Sequence, residues 1–121
     1  MRRIGIALVV TVATVALLAP LASAQRKPTL KEHAQIAGVV NLPVNCSRVK
    51  VSTVTKKPKW GSVSFRDGGA DCLPLASNGV TVARKSHGRW RSVTAGSSFT
   101  CAELFAKVPR PVAKDLKVHC D

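Results

Sequence analysis

V-K-V-S-T-V-T at Val49 to Thr55 and W-G-S-V-S-F-R at Trp60 to Arg66 alternate β-branched or aromatic residues with polar ones, the period of a half-buried strand. Separated only by Lys56-Lys57-Pro58-Lys59, the two runs predict one antiparallel hairpin. The register turns on the loop. A four-residue loop sets Val49 and Val51 on the opposite face from Val63 and Phe65, whereas one further loop residue sets Val51 beside Phe65. Burial requires one common face, so the longer loop, or a bulge near Trp60, is expected.

Working outward, Asp67-Gly68-Gly69 closes the second strand and Ser77-Asn78-Gly79 makes a turn. Val80 to Arg84 and Arg89 to Thr94 then form a second strand pair around Ser86-His87-Gly88. A three-residue loop with Gly88 in the left-handed position brings Trp90 onto the face of Val80 and Val82. Thr100-Cys101-Ala102-Glu103 has the form of a capping box. Cys101, Leu104, Phe105 and Val108 keep helical spacing until Pro109, and Pro111 starts a last short helix with Val112 and Leu116 inward. Upstream, Thr29-Leu30-Lys31-Glu32 is another capping box. It opens a helix from Leu30 to Ala37, with Leu30, Ala34 and Ala37 at helical spacing and Gly38 as a left-handed cap. The order is α, four strands, α. The fold class is α+β, a four-stranded antiparallel sheet covered on one face by an N-terminal helix and a C-terminal helical segment.

The N-terminus reads as a secretory signal peptide over residues 1–24: Arg2 and Arg3, an uncharged run from Ile4 to Ala19, then Pro20 and Ala22-Ser23-Ala24. An uncleaved anchor is the alternative, because the run is near the length that spans a bilayer; the proline and the small-x-small site favour cleavage near Ala24. Residues 25–29 are expected to be a basic disordered tail, and 30–121 a single secreted α+β domain. Cleavage after Ala24 leaves 97 of 121 residues, enough for one core. It takes Arg2 and Arg3 from the 19 basic residues, so 17 remain against 6 acidic ones, a formal charge of +11. No later run is apolar enough to span a membrane.

Four cysteines in a short exported chain, Cys46, Cys72, Cys101 and Cys120, imply two disulfides. No Cys-x-x-Cys spacing supports a metal, and no cofactor motif is present. If Val51 faces Phe65, paired positions sum to 116, so Cys46 continues toward residue 70 and lies near Cys72 at the open end of the first hairpin. The expected bridges are therefore Cys46–Cys72 and Cys101–Cys120.

W-G-S-V-S-F at 60 to 65, S-N-G-V-T-V-A-R at 77 to 84, G-R-W-R-S-V-T-A-G at 88 to 96 and V-P-R-P-V-A-K-D-L between Cys101 and Cys120 resemble small secreted actinobacterial proteins of no assigned function. The resemblance spans Val49 to Cys120. It implies export and one domain, and carries over no catalytic residue.

Catalysis finds little support in the chain. Ser62, Ser64, Asp67 and Asp71 form no nucleophile elbow and no paired-carboxylate spacing. His33 and His87 belong to no triad. Cys101 at a helix start, with His119 near Cys120, suggests a thiol site, but oxidation to Cys120 is the expected fate in this compartment. The functional hint is basic. Lys56, Lys57, Lys59 and Trp60 lie at one hairpin tip, and Arg84, Lys85, Arg89 and Arg91 around the other. If the tips share one sheet edge they make a binding patch; otherwise they are solvated charge. Nucleic acid is disfavoured as a partner, since the chain has no tyrosine and few aromatic residues beyond those a core needs. Trp60 at a strand start reads first as core. The expectation is a non-catalytic extracellular module for an anionic cell-surface polymer or a protein partner. A secreted inhibitor of an extracellular hydrolase is the first alternative and a small secreted enzyme the second.

Overall fold

The structure, a computed structural model, describes residues 25–121; the expected signal peptide lies outside them. The first hairpin is formed by β1 (Ser47–Val51) and β2 (Trp60–Phe65), antiparallel. Val49 lies opposite Val63, so the apolar positions share a face as burial demands. The register is nonetheless four residues away from expectation: Ser47, not Val51, faces Phe65, and Val51 faces Gly61. The cause is tertiary. The Ser52 hydroxyl and the Thr53 amide donate to an Asp115 carboxylate oxygen at 2.7 and 2.9 Å, so T-V-T leaves the sheet despite its β propensity, while the Ser52 amide still donates to the Trp60 carbonyl at 2.8 Å.

The second hairpin, β3 (Val80–Ser86) and β4 (Arg89–Gly96), turns in two residues rather than three. His87 and Gly88 both have positive φ, 51° and 76°, the requirement of a type I′ turn. The one-residue difference moves Trp90 to the other face: it lies opposite Lys85, on the side of Ala83 and away from Val80 and Val82. A shift between Val82 and Ala83 sets them opposite Thr94 and Ser92, leaving Val93 as the extra residue. The sheet order is β1-β2-β3-β4.

In helix α1 (Leu30–Gly38) the capping box is complete: the Glu32 amide donates to Thr29 Oγ1 and the Thr29 amide to Glu32 Oε1, each at 3.1 Å. Its buried face is Glu32, Ile36 and Ala37. Leu30 and Ala34 are exposed, contrary to expectation, since Ile36 and Ala37 supply the apolar contact. Gly38 does not take the left-handed cap; Val39 stays helical and Asn41 carries the positive φ. At the other end, α2 (Cys101–Lys107) starts with the Thr100 hydroxyl accepting the Glu103 amide, and α3 (Arg110–Asp115) has Pro111 in its first turn. Val112 and Leu116 point inward, as expected.

The helices do not share one face of the sheet. Ile36 of α1 packs with Val49, Val51, Val63, Ala83 and Trp90. Leu104, Val108, Val112 and Leu116 pack with Trp60 and Val82 on the opposite side. Alternation explains the correction. Trp60 and Val63 point to opposite faces, as do Val82 and Ala83, so both faces are apolar and each needs a cover. Gly61 permits the α1 layer to close, because a Cβ there would sit 3.0 Å from the Lys50 carbonyl oxygen and 3.1 Å from Ile36 Cδ1.

The disulfides are Cys46–Cys72 and Cys101–Cys120. The first bridge forms although the register that predicts it does not hold. Arg66, not residue 70, follows opposite Cys46, its amide donating to the Cys46 carbonyl at 2.9 Å. A 3₁₀ segment at Ala70–Leu75, not anticipated from the sequence, then carries Cys72 back to it. Residues 25–29 also depart from the disordered tail expected. Arg26 exchanges two backbone bonds with Val51, at 2.9 and 3.2 Å, and its guanidinium meets both Glu32 oxygens at 2.7 Å.

Candidate anion-binding surface

β2 and β3 are neighbours, with Trp60 opposite Arg84, so the loop entering β2 and the turn leaving β3 emerge at the same end of the sheet. The Lys85 amide donates to the Lys59 carbonyl at 2.8 Å and joins them. Between them lies an open cleft of about 640 Å³, lined by Lys56, Lys57, Lys59 and Lys85 together with Ser86 and His87. Among the described residues no carboxylate lines it. The loop is shaped from within by the Thr55 hydroxyl, which donates to the Pro58 carbonyl at 2.8 Å, and by a cis Lys57–Pro58 peptide. Asp115 anchors its start.

The residues expected in one patch separate into three groups. Lys56, Lys57, Lys59 and Lys85 meet at the cleft. Arg84 and Arg91 lie directly opposite each other on the α2/α3 side of the sheet, and the Arg84 guanidinium sits 5.6 Å from the Trp60 ring. Like charges in opposed strand positions repel. Arg89 lines a different hollow, beside Gln35 and Gly38 of α1. Trp60 is only 3% exposed and belongs to the core, so its ring is not a stacking platform.

Family, curated-protein and solved-structure comparisons find no match. The geometry of the surface therefore carries the functional argument alone.

Its electrostatics are lopsided. The Arg26 guanidinium, assisted by the Thr29 amide and Lys59, holds the Glu32 carboxyl down at about 2, against burial, which acts in the other direction. Lys59 Nζ lies 3.9 Å from Glu32 Oε2, and these contacts with Arg26 and Lys59 are the ion pairs among the described residues. Among the described residues, the lysines at 56, 57 and 85 have no such counter-charge. They concentrate positive potential in a concave site, which attracts polyanions over about a Debye length.

Of the residues considered for catalysis, Ser62, Ser64 and His119 line one groove, and the others are placed apart. Cys101 is oxidised. His33 Nε2 lies 2.8 Å from Ser47 Oγ; the Ser47 hydroxyl donates to the Val44 carbonyl at 3.1 Å, so His33 donates and pins α1 to β1. Asp67 accepts from the Gly69 amide in its own turn. Among the described residues no three His, Cys, Asp or Glu side chains gather as a metal site, and no helix is long and apolar enough to cross a membrane. Ser86 and His87 were not anticipated as cleft residues. The signal lay in the turn itself, where residues flanking Gly88 necessarily project beyond the sheet.

Proposed function

We propose that the protein is a non-catalytic, extracellular binding module for an anionic surface polymer, exported by the signal peptide read at residues 1–24. The observation that carries this reading is the convergence of Lys56, Lys57, Lys59 and Lys85 from two separate loops on one cleft without a carboxylate. An elongated chain bearing phosphate, sulfate or carboxylate groups fits an open cleft on a rigid sheet end, and preorganised loops reduce the ordering cost of binding. Two disulfides accord with an oxidising environment. The experiment is a titration of the processed protein with heparin-like and teichoic-acid-like polymers at low and high salt. Binding that weakens steeply as salt rises supports the reading; absence of binding at low salt overturns it.

A further inference from the structure

The α2/α3 side of the sheet carries a second basic feature, lined by different residues from the cleft at the hairpin tips and unused by the reading above. Strand alternation that buries Ser47, Val49 and Val51 sends Arg48 and Lys50 to the opposite side. There Arg48 lies opposite Ser64 and Lys50 opposite Ser62, so each cation has a hydroxyl as its cross-strand neighbour. The chain returns beneath them after α3. Lys117, held at φ 57°, and His119 form the far wall of a groove of about 290 Å³. Its apolar floor includes Phe99, Leu116 and Val118.

The composition of this groove is selective. It holds three lysine or arginine side chains, an imidazole and two strand hydroxyls, and no carboxylate lines it. Ser62 is 4% exposed, and a hydroxyl at the foot of a basic groove serves as a short-range donor or acceptor to a bound oxyanion. Glu32 and Asp115 are engaged elsewhere, with Arg26 and with Ser52 and Thr53, and Asp121, whose amide donates to the Phe99 carbonyl, is not among the lining residues. The groove is less than half the volume of the cleft at the tips, which suits one compact group better than a polymer chain.

We propose that this groove is a second binding site, for a single tetrahedral oxyanion of the phosphate or sulfate type, with Arg48, Lys50 and Lys117 supplying charge and Ser62, Ser64 and His119 supplying directed hydrogen bonds. Charge-assisted bonds of this kind are the strong ones. The site stands whether or not the tips bind polymer.

The test is an NMR titration of the disulfide-intact protein with inorganic phosphate, and separately with inorganic sulfate, the ionic strength being matched with sodium chloride. Saturable shifts are expected at the amides of Ser62, Ser64, Val118 and His119, with affinity reduced at least tenfold in Lys50→Gln/Lys117→Gln. An Arg48→Gln variant, altered at an exposed side chain, gives the same direction should the double variant unfold. A Lys27→Gln/Lys31→Gln variant, altered at exposed side chains outside both sites, should titrate like the parent at these amides. Shifts reproduced by chloride alone, shifts that persist unchanged in the groove variants, or none at these amides would each overturn the proposal. Saturation by phosphate but not sulfate, or the reverse, identifies which oxyanion the groove takes.

Discussion

The β3–β4 hairpin reverses direction in two residues, His87 and Gly88, whose positive φ angles match the twist of the strands they join. The β1–β2 hairpin takes the whole stretch from Ser52 to Lys59, and that stretch depends on groups distant in sequence: Asp115 at its start, Glu32 near Lys59, and the Cys46–Cys72 bridge at the far end of the strands. Both tips are basic and both line one cleft. One is placed by local backbone chemistry, the other by tertiary contacts, so perturbations of the tertiary frame should move the lysines at 56 to 59 long before they move Lys85.

The largest break in this comparison comes from the disulfides. Replacing Cys46 and Cys72 by alanine opens a loop with a sequence separation of 26, a loss of about 3 kcal/mol by chain entropy, read as a lower urea midpoint. Amide exchange should accelerate in β1 and β2 more than in β3 and β4. Replacing Cys101 and Cys120, separation 19, costs about the same without singling out the first hairpin. Equal acceleration in both hairpins after the first replacement would contradict the asymmetry.

Acid comes next. The Glu32 carboxyl is held at about 2 in the folded chain against an ordinary 4.5. A depressed carboxyl stabilises the fold fully above its unfolded value, and that contribution is lost as pH falls from about 4.5 toward 2. With Arg26 partly exposed the loss is on the order of 2 kcal/mol. Glu32→Gln should flatten the stability profile in that window, measured by urea unfolding at successive pH values. An unchanged profile would mean that the Arg26–Glu32–Lys59 contacts do not fasten the first tip.

A smaller effect sharpens the other side of the comparison. Gly88→Ala meets no atom within 4 Å of the added Cβ, so its cost is only the left-handed backbone, about 1 kcal/mol. Thermal unfolding should show it as a modest shift with β1–β2 exchange unaltered. A loss several times larger would mean that the second turn, too, relies on packing.

These differences track what could be read from the residues alone. Strand positions, the presence of two disulfides and the helical ends follow from local pattern: alternation at Val49 to Val51 and Val80 to Val82, the Thr29 and Thr100 caps, the even cysteine count. Of the features that escaped, three bear on the site. Asp115 holds the Ser52 hydroxyl and turns Thr53 out of the sheet from more than sixty residues away, and no local signal marks such a partner. The turn at His87 needed one residue fewer than assumed, because histidine, not glycine alone, takes a positive φ there, and that single residue reversed Trp90. The opposite placement of α1 and α2/α3 was implicit in Trp60 and Val63, two apolar residues of opposite parity in one strand. Within the candidate site the lysines at 56, 57, 59 and 85 were legible as a charge pattern. Their meeting depended on β2 and β3 being neighbours, and the separation of Arg84 and Arg89 depended on the turn length.

The most direct measurement is the affinity of the processed protein for a teichoic-acid-like polymer at low salt, compared among charge-changing variants. Lys56→Gln/Lys57→Gln/Lys59→Gln should weaken binding and reduce its salt dependence, and Lys85→Gln should act in the same direction from the opposite wall of the cleft. A charge-matched control, Lys27→Gln/Lys31→Gln/Lys107→Gln, should lose much less, and all of these exposed or part-exposed changes should leave stability within about 0.5 kcal/mol. Equal losses in the control and the loop variant, or a Lys85→Gln variant that binds as the parent does, would contradict a single binding surface built by the two tips.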